Sequence, residues 1–527
     1  MTRKNSESGD AGAMRFRREA RHDRYDAVVV GSGLGGLSCA ALLARAGKRV
    51  LVCERHDRPG GYAHAFRRNG YLFDSAVHLV GGCEETSFTG GGLLHRLLSA
   101  VGARDELEFE RIDPLYTAVY PGLELRPRLG LDEFERSHAD AFPDERKGLH
   151  DLLQECLAIQ IEARRAAELA SPFEVMQRPG RFPTLLRYRR ATLARVMDEH
   201  LDDPRARAVF ATFWPYLGLP PGQVSFLYFA TMLLSYVGEG AYYCKGSFQK
   251  LARALARAVE REGGEVLLRS PVRRIVVEAG RAAGVVLENG QRVAAPLVVS
   301  NADLRQTVDE LVGAEHFSAR FRRPLARLAP SISAFVAYLA TDLDLARLGA
   351  SHETFVYEGF DHDTAYAETL AGRPGWWTAT VPTLADPSLA PPGVHLITLT
   401  TLVPYSAAKH WRGEKRARVD AMIAAADRHF PGLRESVRFA EGGTPRTMER
   451  YTRNSDGAIY GWALSPDQVG PGRPANETPV PGLWLAGHWA QPGGGVYGVV
   501  TSGVNAARGI LGLQSEHELF AKLAERT

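Results

Sequence analysis

The sequence has little of what would place it across a membrane, in a disulfide scaffold or on nucleic acid. No stretch reaches the roughly 18 consecutive apolar residues that a spanning helix requires. The nearest, Val224 to Val237, is shorter and is interrupted by Ser225, Thr231 and Ser235. It reads as a core or pocket-lining helix, or else as an interfacial segment through which a lipid substrate enters. Cysteine is scarce: Cys39, Cys53, Cys83, Cys156 and Cys244 form no CxxC pair and no cluster with histidine. That argues against a disulfide framework and a metal site, and fits a reducing, cytoplasmic setting. An excess of either charge is missing as well. The 64 Lys and Arg face 61 Asp and Glu, a net charge of +3 that implies no nucleic-acid surface. The segment 1–23 lacks the apolar stretch of a secretory signal. Its Arg3, Lys4, Arg15, Arg17, Arg18 and Arg21, mixed with Glu7, Asp10 and Glu19, read as a disordered basic tail or an arm for anionic lipid.

What is present is the composition of a globular protein, with 45% apolar and 24% charged residues. A chain of 527 residues exceeds what one hydrophobic core supports, so at least two domains are expected. The most informative stretch begins at Tyr25. Ala27 to Val30 is a β-branched run of the kind a buried parallel strand needs. It enters Gly31-Ser32-Gly33-Leu34-Gly35-Gly36, after which Leu37, Ala40, Ala41 and Ala44 recur at helical spacing. Gly47 ends that helix, and Val50 to Cys53 is a second strand leading to Glu54. The pattern is a βαβ dinucleotide site. Gly31 permits the tight turn, Gly33 lets a pyrophosphate approach the backbone beside Leu34 and Gly35, and Gly36 allows helix and strand to pack closely. The helix N-terminus then offers unpaired N–H groups to the phosphates. Glu54, about 20 residues on, accepts hydrogen bonds from a ribose diol.

The next residues, Arg55 to Phe66, carry Gly60-Gly61 followed by Tyr62. That pair resembles the second glycine motif of glutathione-reductase-like and amine-oxidase-like flavoproteins, where the chain folds back beside FAD. The resemblance favours FAD over NAD. Farther along, 248–262 forms an amphipathic helix ended by Gly263-Gly264, and short strands follow at Glu265–Leu268, Val272–Val277, Gly284–Glu288 and Leu297–Ser300, with Asn301 after the last. Val272 is either a core strand valine or, as in related flavoproteins, a backbone contact to adenine. Near the C-terminus the strand Leu483–Ala486 runs into Gly487, His488 and the Gly493-Gly494-Gly495-Val496-Tyr497 turn, and then into a helix. A second anion-binding helix start is expected there, suited to the charge on a reduced flavin.

Together the first fingerprint with Pro59-Gly60-Gly61, the segment Gly240 to Val266, the segment Arg292 to Asp303 and the ending Gly482 to Ala507 resemble the bacterial phytoene desaturase family and its relatives, the carotenoid isomerases and retinol-saturase-like proteins. The resemblance runs from about Tyr25 to Gly512 and is sharpest in the FAD segments. The histidine-containing stretch Phe73 to Gly82 is closer to the retinol-saturase-like version. The resemblance implies an α/β fold: a Rossmann-type, glutathione-reductase-like FAD-binding domain with an inserted α+β substrate domain in an amine-oxidase-like architecture. The expected division is 24–85, 245–305 and 445–515 for FAD, and 86–244 with 306–444 for substrate. It further implies a polyene or isoprenoid-like substrate, with peripheral membrane contact and no transmembrane segment.

Hydrogen beside a double bond is not acidic enough for a side-chain base to act first, so desaturation by hydride transfer to flavin N5 is the reaction expected, with the proton lost to water or a weak base. An apolar tunnel with few polar groups would suffice. Reduced FAD promoting cis–trans isomerisation, or saturation, is the alternative, and a non-catalytic flavin- or lipid-binding component is another. His78, His488, Glu239 and Lys245 are the polar side chains expected near the flavin. Each has a structural alternative: a hydrogen-bonded histidine, a solvated or capping lysine.

Overall fold

The computed structural model describes residues 17–86, 91–169 and 173–525. Its first layer is a parallel sheet in the order Leu483–Leu485, Leu297–Ser300, Ala27–Val30, Val50–Cys53, Glu265–Leu267. Every residue of the two central strands, Ala27–Val30 and Val50–Cys53, is buried, which explains why both read as unbroken apolar runs rather than alternating ones. The helix Leu34–Arg45 follows the first strand and stops where Gly47 takes a φ of +89°. There Gly47 N–H bonds the Ala44 carbonyl and Lys48 N–H bonds that of Leu43, so the last carbonyls find partners. The helix packs against Phe248–Arg261 on one side and Gly495–Ile510 on the other. The second contact is close because both helices carry glycine there: a Cβ on Gly503 would lie 2.3 Å from the Gly35 carbonyl oxygen.

Beside this sheet, Val272–Glu278 and Arg281–Leu287 form a hairpin turning at Ala279 and Gly280, and Arg292–Ala294 adds a third strand. Both turn residues have positive φ, as a two-residue hairpin loop demands. The expected tail needs correction at its end. Residues 1–16 lie outside the described residues, but Arg17 bridges Leu267 and Ala20 bonds Gln291 through both backbone groups, so 17–23 are held against the parallel layer.

The second large sheet has seven strands in the order Val437–Gly443, Ser333–Thr341, His395–Val403, Trp376–Thr380, Glu353–Tyr357, Thr117–Tyr120, Leu123–Leu125. All neighbours are antiparallel except Glu353–Tyr357 with Thr117–Tyr120. Its second strand, Ser333–Thr341, is buried along its whole length, and its alternation divides two environments. Phe335, Ala337 and Leu339 join a core under the helix Trp411–Asp427, with Trp411, Val419 and Ile423. Ala334, Val336 and Tyr338 turn to the opposite side, into the main core shared with the parallel layer.

The apolar segment near 224–237 is the helix Phe226–Val237, started by the Ser225 side chain accepting from Tyr228 N–H. Phe226, Phe229, Ala230 and Leu233 are fully buried on one face, while Leu227, Tyr228, Thr231, Met232 and Tyr236 line a cavity on the other. No helix among the described residues is long and apolar enough to cross a membrane.

The helix contact at Gly503 gives a direct test. Gly503→Ala should destabilise the protein by about 1–3 kcal/mol, because the new methyl group meets backbone that belongs to the opposing helix and cannot turn away. Denaturant unfolding midpoints of the two proteins check this.

Candidate functional site

Three distant segments meet at the carboxyl ends of the parallel strands. Gly31 leaves the first strand with φ +92°. Gly33 bridges Gly60, and Gly60 N–H bonds the Ser32 carbonyl at 2.9 Å, so the two early glycine motifs are laid against each other. On the other side a Cβ on Gly35 would come within 2.7 Å of the Gly487 nitrogen. Asn301 fills the middle, its N–H bonded to the Val30 carbonyl at 2.9 Å and its amide so near Gly33 and Gly487 that a Cβ on either would collide with it. Gly36 packs behind, on Gly31 and Asn301, and does not line the cavity.

Two helices begin here, Leu34–Arg45 and Gly495–Ile510, with Gly33 and Gly494 as N-cap residues and no side-chain cap on either. Their first N–H groups are therefore available to an anion in the space between them. Glu54 ends the second strand. Its Oε2 accepts from Ser32 N–H (2.8 Å) and Oγ (2.7 Å), and its Oε1 accepts from His56 N–H (2.7 Å), which fixes the carboxylate at the cavity wall.

The cavity that joins these elements has a volume of about 740 Å³. Gly31, Gly33, Leu34, Gly35, Glu54 and Arg55 border one end, with Gly60, Gly61, Tyr62, Val272 and Asn301. Gly487, His488, Gly495, Val496 and Tyr497 border its middle. The far part is walled by the second sheet, where Ala334, Val336, Trp376, Thr378, Thr380, Thr398, Thr400 and Leu402 present the face that alternation directs inward. His78 borders this far part too.

Two expected neighbours of the flavin are elsewhere. Lys245 projects to the surface and pairs with Glu108 (2.6 Å) and Glu110 (3.4 Å). Glu239 is buried behind the wall, holding Arg164 at 3.2 Å, and it is Arg164 that reaches the cavity.

Behind His78 lies Glu353, with no side-chain exposure. Its Oε1 is 2.8 Å from His78 Nδ1, and its Oε2 accepts from the Tyr216 hydroxyl (2.8 Å) and the Thr380 hydroxyl (3.2 Å). His352 bonds the His78 carbonyl at 2.9 Å through Nε2. Asp74 is also on the wall, accepting from Tyr243 Oη (2.5 Å) and Phe248 N–H (2.9 Å). Glu353, Tyr216 and Asp74 were not singled out from the sequence. The one available signal was an acidic residue opening the otherwise apolar strand Glu353–Tyr357.

Residues 34–511 match the family described as flavin containing amine oxidoreductase. The chain belongs to this family. It is an FAD-dependent oxidoreductase. Prolycopene isomerase 1, chloroplastic, from an Oncidium hybrid cultivar is 29% identical over 515 residues, covering 92% of this chain and 83% of that protein. All-trans-retinol 13,14-reductase from Rattus norvegicus is 28% identical over 511 residues, covering 88% and 82%. Among solved structures, an oxidoreductase from Methanosarcina mazei superposes with a TM-score of 0.62 at 20% identity, covering 92% of this chain and 99% of that one. Cyclohexylamine oxidase from Brevibacterium oxydans superposes with a TM-score of 0.61 at 18% identity, covering 95% and 99%. These likenesses establish the amine-oxidase-like fold, with its Rossmann-type layer.

The flavoprotein's residues suit FAD. The uncapped helix starts answer the pyrophosphate and a flavin's anionic edge, and Gly495 faces open space that a side chain would occupy. Near that turn Arg473 is buried, with Nη2 donating to the Trp462 carbonyl while Nε and Nη1 find no acceptor among the described residues. Burial lowers its pKa to about 10.

The cavity's histidines differ in charge. Burial, reinforced by Arg473, lowers His488 to about 3 and keeps it neutral. Burial acts against the His78 cation as well, but the charge and hydrogen bond of Glu353 outweigh it and hold His78 above its ordinary value. Glu353 is held below the usual carboxylate range by that pairing, despite its burial. Asp74 is pushed up to about 7, because burial outweighs its two hydrogen bonds.

A raised carboxyl pKa means that the folded protein keeps a proton that the unfolded chain has released. The flavoprotein should therefore lose stability as pH rises from about 4 to 7. Asp74→Asn removes this term. Relative to wild type it should gain about 2 kcal/mol between pH 5 and pH 8, read from unfolding midpoints at the two values.

Proposed function

We propose that this flavoprotein moves hydrogen on or off a polyene or isoprenoid-like chain lying along the second sheet. The observation that carries the reading is a single cavity that runs from the glycine turns to a wall of Ala334, Val336, Trp376, Leu402 and Met448. The relatives named for prolycopene and all-trans-retinol support the substrate class. Desaturation is the oxidative direction of this exchange. FAD, when bound, supplies the two-electron acceptor or donor.

In this proposal the parallel layer, built from 24–85, 245–305 and 445–515, is the FAD portion, and 86–244 with 306–444 form the substrate portion. Glu54 takes the ribose diol. The turn Gly31 to Gly36 and the helix start at Leu34 take the pyrophosphate. Arg55 and the Val272 backbone flank the adenine end. Gly60, Gly61, Tyr62, Asn301, Gly487, His488, Gly495, Val496 and Tyr497 surround the flavin half, where neutral His488 adds no charge.

An anaerobic absorption experiment tests this. The oxidised flavin band should bleach with a chain that has a saturated bond beside a polyene, or the chemically reduced protein should be reoxidised by a conjugated polyene. Isomerisation after reduction without net electron transfer would replace this reading with the isomerase one, and flavin that responds to no polyene would leave only binding.

We further propose that the cytoplasmic protein meets a membrane surface at the cavity mouth. The lining extends to Leu169, Val175, Leu185 and Arg189, after the helix Arg146–Ala167. Met176 beside them is 55% exposed, with Arg181 and Arg190 exposed nearby, while Arg178 pairs with Glu174 and Arg187 with Glu155 and Glu199. An apolar tip in a basic ring suits anionic headgroups, each arginine near the surface contributing about 1 kcal/mol. The protein should sediment with vesicles containing phosphatidylglycerol at low salt, and less with phosphatidylcholine alone. Arg181→Glu with Arg190→Glu should weaken sedimentation at least about tenfold. Equal sedimentation of all combinations would refute the assignment of this surface.

A further inference from the structure

A tunnel for a hydrocarbon needs no ion pair, yet this one has the His78–Glu353 pair set in its wall. The cost of burying Glu353 is met by donors on three sides: His78 Nδ1 and the Tyr216 and Thr380 hydroxyls. With Nδ1 committed to the carboxylate, the second ring nitrogen of His78 has no partner among the described residues, on a ring that borders the cavity. Tyr216 packs edge-on against the imidazole, with centroids 5.5 Å apart, and restricts its rotation.

We infer that His78, oriented by Glu353, transfers a proton at its Nε2 to or from a carbon of the bound polyene. This rests on the function proposed above and, of the expected proton partners, water or a weak base, assigns the weak base. In the reducing direction one C=C bond becomes a C–C single bond. One carbon receives a hydride with two electrons from reduced flavin, and its neighbour receives the Nε2 proton. The flavin ends oxidised, neutral His78 recovers a proton from solvent, and a two-electron reductant such as dithionite restores the flavin. The oxidising direction is the reverse, with His78 as base. Glu353 is a positioning residue: it fixes the tautomer and supports the imidazolium, as a carboxylate behind a catalytic histidine does generally.

The groups facing His78 set its pH response. Glu353 and the more distant Asp74 raise its pKa, burial lowers it, and His352, itself lowered by burial, stays neutral beside it. Tyr216 is pushed far above its ordinary value and remains protonated.

The test uses dithionite-reduced full-length protein with a polyene panel headed by all-trans-retinol, in H2O and D2O. In D2O wild type should add a deuterium at each of the two reduced carbons, since dithionite-reduced flavin takes its N5 hydrogen from solvent, with a rate that declines as pH rises through a value above 6.5. His78→Gln should slow turnover by at least about a hundredfold while retaining the flavin spectrum. Glu353→Gln should move the declining limb to lower pH, since the imidazolium loses its anion. Tyr216→Phe, which takes a donor from Glu353 and leaves the ion pair, should keep the limb at or above the wild-type position and guards against a folding defect in the first variant. Turnover of His78→Gln within threefold of wild type, or a limb that Glu353→Gln does not move, overturns the assignment while leaving the proposed function intact. A wild type that converts no member of the panel overturns both.

Discussion

The rest of this structure depends on a backbone contact that excludes side chains. The helix Leu34–Arg45 meets the C-terminal turn and helix at Gly35, Gly487 and Gly503, where a Cβ on Gly35 or Gly503 would intrude to within 2.7 or 2.3 Å of opposing backbone. That closeness puts the carboxyl ends of strands hundreds of residues apart around Asn301. It also lets two helix starts face one space. Van der Waals contact between backbones supplies the cohesion, and unpaired N–H groups at the two helix starts supply the chemistry.

The second constraint is the alternation of the long strands. Ser333–Thr341 and His395–Val403 each present one set of side chains to the helix Trp411–Asp427 and the other to the cavity. One sheet thus serves as a core element and as the wall of a substrate site, and a one-residue slip in register would exchange the two roles. The threonines at 378, 380, 398 and 400 are the compromise: β-branched enough for a strand, with hydroxyls tolerable beside a cavity.

Within that largely apolar wall the His78–Glu353 pair is costly unless the carboxylate finds donors, and here they come from three separate elements. The arrangement ties the loop after Asp74, the turn Trp214–Tyr216 and two sheet strands to one charge. The pair raises the pKa of His78, while burial and Arg473 keep the ring at 488 neutral.

The parallel layer was legible in the sequence because its rules are local. A buried strand, a glycine turn, a small-residue helix and a closing glycine are neighbours along the chain, and each constrains the next. Those features determined the family resemblance, the FAD expectation and the strands Ala27–Val30, Val50–Cys53 and Leu297–Ser300 to the residue. The polar groups of the cavity were not legible in the same way. Lys245 pairs with Glu108 at the surface and Glu239 with Arg164 behind the cavity wall, because position along the chain does not fix which way a side chain faces. Glu353 adjoins nothing suggestive, yet packing places it 275 residues from His78 in sequence and 2.8 Å from it in space. Phosphate-binding geometry is carried by the backbone within one short motif, so sequence determined it; the proton-bearing pair is made between side chains of unrelated segments, so only the tertiary structure decided it.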